Sequence, residues 1–428
     1  MGSNGTLIVG ASQAGLQLAV SLRQFGDTAP ITLVGAEPQP PYQRPPLSKE
    51  FLTGSADLGT LALRNAAFYR DSGIDLVCGE RITSVRLADE GPPGQGCAVT
   101  ARGRHLAFDR LALTVGARPR RLRLPGSALD GVCTLRDHAD AADLRRRLET
   151  AAHVVVVGGG FIGLEAAAAA RALGLASVTV VEAADRLMAR AVAPVVSDFY
   201  RRAHERRGAT VRLGAAVAAF EGDRAGRVTG VRLADGTLLP ADLVLVGAGV
   251  QPRTELAEQL GLACDGGVLV DERARTSRPG VVAAGDCTVQ PDPMTGRGRV
   301  RLESVQNAVA QAQAAAATLL GRERPRPQVP WFWSFQGDLK LQTAGLSGGH
   351  DGYVVRGEPA DERFCVLYYR GGRLLAADAV NRPADYMAVR KALTNGATMD
   401  PALARDPAIP LKSLISADVP AASAPAAL

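Results

Sequence analysis

Paired thiols are missing from this chain of 428 residues: its six cysteines, Cys78, Cys97, Cys133, Cys264, Cys287 and Cys365, are scattered singly, with no C-x-x-C and no C-x-x-x-x-C. Such spacing argues against a zinc site, a bound iron–sulfur cluster and a dithiol redox centre, and isolated buried thiols are the expectation. No metal site is expected. There is no apolar run of about 18 residues, the length a bilayer demands, and the opening MGSNGTLIVG has neither a charged segment nor a long apolar one, so no secretion signal and no membrane contact are expected and the cytoplasm is the default compartment. The net charge of +6 is modest, and the basic residues form no stripe or run, a poor basis for nucleic acid, although it leaves a small acidic protein partner open. Lysine is scarce: Lys49, Lys340, Lys391 and Lys412 are the only lysines among 49 basic residues. In a chain that otherwise uses arginine, each lysine is less plausibly filler.

The stretch from Leu7 to Lys49 reads as the cradle of a dinucleotide. Leu7, Ile8 and Val9 form a short apolar run suited to a buried parallel strand, which stops at Gly10 with Ser12 and Gly15 following in GASQAG. Ala14, Leu18, Leu22 and Phe25 then share one helix face, and Gly26 is placed to end the helix. A second apolar strand, Ile31 to Val34, leads to Glu37. In such a βαβ unit the pyrophosphate meets free backbone N–H groups at the helix N-terminus, and the acid after the second strand accepts hydrogen bonds from an adenosine ribose. Taken alone the motif is weak, because Ser12 stands where the middle glycine belongs, and an ordinary βα turn is the alternative.

After Glu37, prolines at 38, 40, 41, 45 and 46 stiffen a loop, and Ser48 is placed to cap a helix beginning near Lys49. Lys49 either lies against a flavin ring or is a solvated lysine at a helix start. From Ile74 to Ala117 the pattern is one of short strands, expected to form a β-meander and a return strand. A second fully apolar strand, Val154 to Val157, opens into GGGFIGLE, where Gly158, Gly160 and Gly163 fill all three motif positions and Glu165 follows. An Ala-rich helix, Gly174, the strand Val178 to Val181 and Glu182 complete the unit, so two dinucleotides are expected. Glu182 accepts both ribose hydroxyls but repels a 2′-phosphate, which favours NADH over NADPH; Arg186 and Arg190 stand near enough to bear on that preference.

A second meander is expected from Val211 to Leu239, followed by the strand Leu243 to Val246 and by Gly247, Gly249 and Pro252. The small-residue strand from Gly280 ends at Asp286, the usual position of a ligand crevice, with a turn-forming aspartate as the alternative. Glu303 to Asn307 begins a helix whose N-terminal dipole suits a flavin carbonyl. RERPRPQVP at 322–330 is a linker, and the remainder reads as a small α/β domain with strands at Lys340 to Ala344, Tyr353 to Arg356, Phe364 to Tyr369 and Arg373 to Ala377 and a helix near Asp385 to Leu393. Trp331 and Trp333, the only two tryptophans, are either core or a docking surface.

The motifs PYQRPPLSK, GGGFIGLE, TSRPGVVAAGDC, RLESVQNA, VPWFWS and DLKLQ, in this order, resemble the ferredoxin reductases of bacterial oxygenase systems, the putidaredoxin-reductase and biphenyl-dioxygenase-reductase type, over about residues 5 to 417. The resemblance implies an α/β chain with two Rossmann-like dinucleotide-binding domains of the glutathione-reductase kind plus a C-terminal α/β domain. Residues 1–115 with 248–325 would bind FAD, 116–247 would bind NAD, 326–417 would form the C-terminal α/β interface domain, and 418–428 a flexible tail. Carried over residue by residue, flavin contacts fall on Ala14, Glu37, Lys49, Ile82, Arg136, Asp286 and Val305, and nicotinamide dinucleotide on Gly160, Glu165, Glu182 and Arg190. The turn glycines Gly10, Gly15, Gly158 and Gly163 join the cofactor-binding set, with Ser12, Arg44, Gly249, Glu303 and Trp333. Lys49 and Glu165, the catalytic candidates, are implied to pair beside the flavin ring. Ser12 and Ala36 depart from the family pattern, which leaves Glu37 alone to hold the ribose.

The implied activity is that of an FAD-dependent NAD(P)H:ferredoxin oxidoreductase: hydride transfer from NADH to FAD, then single-electron steps to a [2Fe-2S] ferredoxin that serves a haem-thiolate or Rieske oxygenase. A flavin-dependent NADH oxidase or peroxide reductase would share both nucleotide folds but usually carries a redox cysteine near residues 40 to 50, where this chain has none. An apoptosis-factor-like NADH sensor would also share the fold; the lack of a targeting segment and of a long insertion in the third domain argues against it.

Overall fold

The computed structural model describes residues 3–417, so the tail expected at 418–428 lies outside the described residues. The chain divides into two compact units, one of Met1–Gln43, Leu58–Arg118 and Val250–Gln328, the other of Arg44–Asp57, Pro119–Gly249 and Val329–Leu428. No helix among the described residues is long and apolar enough to cross a membrane.

The first unit is built on a five-stranded parallel sheet in the spatial order Val281–Ala283, Arg110–Leu113, Thr6–Val9, Ile31–Val34, Ile74–Val77. The central strand Thr6–Val9 is buried throughout, as its apolar run requires when both faces of a parallel sheet are covered. One face packs on the helix Gln13–Gln24 and the Ala-rich helix Val305–Leu319, whose Ala312, Ala315 and Ala316 join Leu18, Ala19 and Leu22 in one apolar cluster. Alanine suits that face because its small side chain lets two helices approach closely.

The second unit repeats the plan with the order Thr210–Arg212, Ser177–Val181, His153–Val157, Leu243–Val246, Val132–Cys133, again parallel. In both units the first short strand of the run read as a meander joins the nucleotide sheet instead: Ile74 lies opposite Ile31, and Thr210 opposite Thr179. Each of these strands follows a helix, Ala66–Asp71 in one case and Pro194–Arg206 in the other, and a crossover helix delivers the chain parallel to its predecessor. The antiparallel meanders are shorter than expected, Ile82–Leu87, Gly96–Thr100 and His105–Phe108 in one unit and Val217–Gly222, Val228–Leu233 and Leu238–Pro240 in the other.

A five-stranded antiparallel sheet completes the second unit, in the order Trp331–Gln336, Leu339–Gly345, Arg373–Val380, Arg363–Arg370, Gly352–Glu358. Its strand Trp331–Gln336 has no counterpart in the sequence reading, because the residues it buries fully are Ser334 and Gln336 while its aromatics are half-exposed, the reverse of the usual alternation. Phe364, Val366 and Tyr368 of this sheet share one core with Leu164, Ala166 and Tyr200 of the nucleotide fold. The fully buried guanidinium of Arg356 is ion-paired to Asp385 at 3.2 Å and donates to the carbonyl of Ile409 at 2.8 Å, which ties the last segment to the sheet.

Candidate dinucleotide-binding and redox site

In the first turn, Gly10 takes φ +118°, and a Cβ there would lie 2.2 Å from the carbonyl oxygen of Thr114. At Gly15 a Cβ would lie 2.0 Å from the Gly10 carbonyl oxygen, so the strand-to-helix turn closes only with glycine at both places. The Thr114 hydroxyl braces the turn by donating to the carbonyls of Val9 at 3.1 Å and Gly10 at 2.8 Å. Ser12 is the N-cap residue of the helix Gln13–Gln24, in extended conformation. Glu37 follows the strand Ile31–Val34 and accepts the Tyr42 hydroxyl at 2.5 Å. Ala14 is buried, and its methyl lies 3.2 Å from where Gly285 would carry a Cβ, which explains a small residue at each position.

Asp286 follows the strand Val281–Ala283 and is backed by a buried amide network. Gln311 Oε1 accepts from the Gly285 N–H at 2.7 Å and the Thr288 hydroxyl at 3.0 Å, while Gln311 Nε2 donates to Gln290 at 2.7 Å and Gln290 donates to Asn307 at 2.8 Å. The helix Val305–Leu319 starts beside this network with Ser304 as cap, accepting the Asn307 N–H. In its first turn Gln306 Oε1 is buried with no hydrogen-bond partner among the described residues. A buried acceptor without a donor is costly unless a ligand supplies one, so this end of the unit fits a group with N–H or O–H donors. Ile82 is buried, whereas Glu303 is exposed and ion-paired with Arg301 at 2.8 Å.

The second turn has the same closure: a Cβ at Gly158 (φ +113°) would lie 2.5 Å from the Gly247 carbonyl oxygen, and one at Gly163 2.2 Å from that of Gly158. Gly160 differs, since a Cβ there meets no protein atom within 4 Å. The space in front of that position is open, as a site for a ligand backbone at the helix N-terminus requires. The Glu182 carboxylate is set in place by the turn, accepting the N–H groups of Gly159 at 2.7 Å and Ala184 at 2.8 Å. Arg186 is committed elsewhere: it donates to the carbonyls of Ala189 and Val192 and to the Ser197 hydroxyl. Arg190 is exposed and makes no hydrogen bond or ion pair among the described residues; its guanidinium lies 3.9 Å from the Cβ position of Gly249.

Also in this unit, the Lys49 ammonium meets the Glu165 carboxylate at 2.8 Å, the two side chains being 12% and 3% exposed. Both carboxylate oxygens are used, for Ser48 Oγ donates to Oε2 at 2.5 Å and Ser334 Oγ to Oε1 at 2.7 Å. Ser48 was expected as a helix cap; it lies instead in the 3-10 turn Pro45–Ser48, and Lys49 precedes the short helix Glu50–Thr53. The proline pair at 45 and 46 imposes that turn and leaves the Ser48 hydroxyl free to reach Glu165. Arg44 donates to the Arg136 carbonyl at 2.8 Å. Trp331 and Trp333 are half-buried, their rings 5.6 Å apart, and the Arg390 guanidinium covers Trp331 at 4.7 Å.

No two cysteines form a dithiol pair. All six cysteines are unpaired, burial pushes Cys287 up to about 12 and Cys133 to about 11, and it raises Cys365, Cys78 and Cys264 as well. A thiol held in its protonated form is a poor nucleophile and a poor redox partner.

The family model described as pyridine nucleotide-disulphide oxidoreductase matches residues 5–312, and the one described as reductase C-terminal matches residues 331–415. The chain belongs to the pyridine nucleotide-disulphide oxidoreductase family. Among its members it groups with the ferredoxin reductases. It is 42% identical to the 5,5'-dehydrodivanillate O-demethylase ferredoxin reductase subunit of Sphingobium sp., covering 96% of this chain and 98% of that one. It is 45% identical to rhodocoxin reductase of Rhodococcus erythropolis, covering 96% and 94%. The crystal structure of the ferredoxin reductase for the CYP199A2 system from Rhodopseudomonas palustris matches with a TM-score of 0.91 at 41% identity, over 97% of this chain and 100% of that one. Membership of this family makes the reductase a flavin- and nicotinamide-dependent oxidoreductase of α/β fold. Sequence reasoning overlooked the hydroxyls of Ser48 and Ser334 as hydrogen-bond partners of Glu165.

Proposed function

We propose that this chain passes electrons from NADH through FAD to a [2Fe-2S] ferredoxin serving a haem-thiolate or Rieske oxygenase in the cytoplasm. The observation that carries the reading is the buried Lys49–Glu165 pair in a chain with no paired cysteines, so that charge rather than a dithiol serves the flavin. FAD, when bound, takes two electrons together from a nicotinamide and gives them up singly. Gly10, Ser12, Ala14, Gly15, Glu37, Ile82, Asp286, Glu303 and Val305 would hold it, and Arg44, Lys49, Arg136 and Trp333 belong to the same expected contact set. Gly158, Gly160, Gly163, Glu182, Arg190 and Gly249 would hold NADH.

Each residue has a physical task in this reading. Glu182, already oriented by two backbone N–H groups, receives the ribose hydroxyls and disfavours a 2′-phosphate. Arg186 spends three of its five N–H donors on two carbonyls and a hydroxyl, which fixes its side chain within the fold. Lys49, held by Glu165, supplies a fixed positive charge that offsets the negative charge gained on reduction, at no reorganisation cost. The test is cytochrome c reduction by NADH with and without an added [2Fe-2S] ferredoxin. Reduction that depends on the ferredoxin is expected; NADH consumption at one rate whether or not it is present would point to an oxidase.

A further inference from the structure

A chain of buried polar side chains crosses the core of the second unit and ends on Glu165. On the strand Trp331–Gln336, Ser334 and Gln336 are 0% and 1% exposed, and burying two polar groups side by side is costly unless each is bonded. His204, on the helix Pro194–Arg206, puts Nε2 2.8 Å from Gln336 Oε1. Gln336 Nε2 donates to Ser334 Oγ at 3.3 Å, and Ser334 Oγ donates to Glu165 Oε1 at 2.7 Å. With the Gln336 amide nitrogen turned to Ser334, its oxygen faces His204, so His204 carries its hydrogen on Nε2. Burial pushes the His204 pKa down, and the ring adds no second cation. Every hydrogen along the chain therefore points toward the carboxylate, and dipoles aligned in this way reinforce one another.

We propose that Ser334, backed by Gln336 and His204, is a positioning residue for flavin reduction: it fixes the rotation of the Glu165 carboxylate and so the place of the Lys49 ammonium. The proposal rests on the reading of Lys49 and Glu165 given under Proposed function. Ser48 and Lys49 both bond Oε2, which leaves Ser334 as the donor on Oε1; without it the carboxylate is free to turn and Lys49 turns with it. The C-terminal sheet thereby contributes a residue to the redox machinery, whatever else its outer face meets.

The experiment compares wild type, Ser334→Ala, Glu165→Gln and the double variant, each desalted and checked for bound flavin. Stopped-flow measures flavin reduction by NADH, and thermal melting gives a second cycle that does not depend on turnover. Ser334→Ala is expected to slow reduction about tenfold, with the KM for NADH changed by less than about twofold. Glu165→Gln is expected to be slow, and adding Ser334→Ala to it should change the rate no further and lower the melting temperature by less than it does in wild type, because only the contact from Gln336 remains to be lost. Gln336→Met should give the same pattern with a loss of about threefold, and it carries the test if Ser334→Ala does not accumulate. A wild-type rate in Ser334→Ala beside a slow Glu165→Gln overturns the role of Ser334 alone. Equal losses in both backgrounds make Ser334 structural and overturn it too. A wild-type rate in Glu165→Gln overturns the underlying reading, and the proposal with it.

Discussion

In the first dinucleotide turn the middle motif position holds Ser12, while in the second it holds Gly160, where an added side chain would meet no protein atom within 4 Å. Around the first turn the fold is braced: the Thr114 hydroxyl ties two carbonyls, and Gln311, Gln290, Asn307 and Thr288 form a closed network behind Asp286. Around the second, Glu182 is held by the N–H groups of Gly159 in the turn and of Ala184, and Ile162 in the first helical turn is 45% exposed. The outer glycines are demanded by backbone crowding in both turns, whereas the middle position of the second has open space in front of it. A braced turn suits a group that stays, and an open turn suits one that arrives and leaves at every cycle.

Alanine at the third glycine breaks each turn separately and should give the largest effects. Gly15→Ala, with a Cβ 2.0 Å from the Gly10 oxygen, should yield protein without bound flavin; Gly163→Ala, at 2.2 Å from the Gly158 oxygen, should stay yellow and lose NADH reduction by about a hundredfold. Flavin per chain after desalting and the kcat/KM for NADH distinguish the two. Identical losses in both variants would erase the distinction between the turns.

Lys49→Met probes what the two turns serve. It leaves a carboxylate buried without its partner, a change worth about 3 to 5 kcal/mol for a buried pair against about 0 to 1 for an exposed one. Flavin reduction should slow by about thirtyfold, more than the drop in melting temperature would suggest, and adding Glu165→Gln should recover part of the loss. Wild-type rates in both variants would make Lys49 a bystander.

Both turns were legible in the sequence because their glycine spacing, the apolar strands and the closing acids Glu37 and Glu182 are local signals. The partner of a strand was not: Ile74–Val77 and Thr210–Arg212 read like their meander neighbours, and only a crossover helix, acting in space, assigns them to the parallel sheets. The Lys49–Glu165 pair spans 116 residues and came from resemblance, not spacing. Ser334 and Gln336 were hidden because a strand that buries its polar residues and half-exposes its aromatics inverts the pattern by which strands are found. The amide network around Gln311 joins positions 285, 288, 290, 307 and 311, each unremarkable alone.

Cofactor choice sharpens the contrast at the second turn. Steady-state kcat/KM should favour NADH over NADPH by about tenfold, or about 1.4 kcal/mol; equal values would show that Arg186 or Arg190 accommodates the phosphate. Smallest of all, Gly160→Ser places in the second turn the residue that the first one carries. It should leave the melting temperature unchanged, since the fold has room, and raise the KM for NADH about fivefold by crowding the ligand. A lowered melting temperature would mean that the fold itself uses that space.

The most direct measurement is double-mixing stopped-flow on the desalted protein: NADH first, without oxygen, then an oxidised [2Fe-2S] ferredoxin. One flavin per chain should bleach on the first mix and regain its colour on the second, with nicotinamide recovered free in solution. A protein that holds no flavin after desalting, or that bleaches and regains its colour only when air is admitted, would contradict the account.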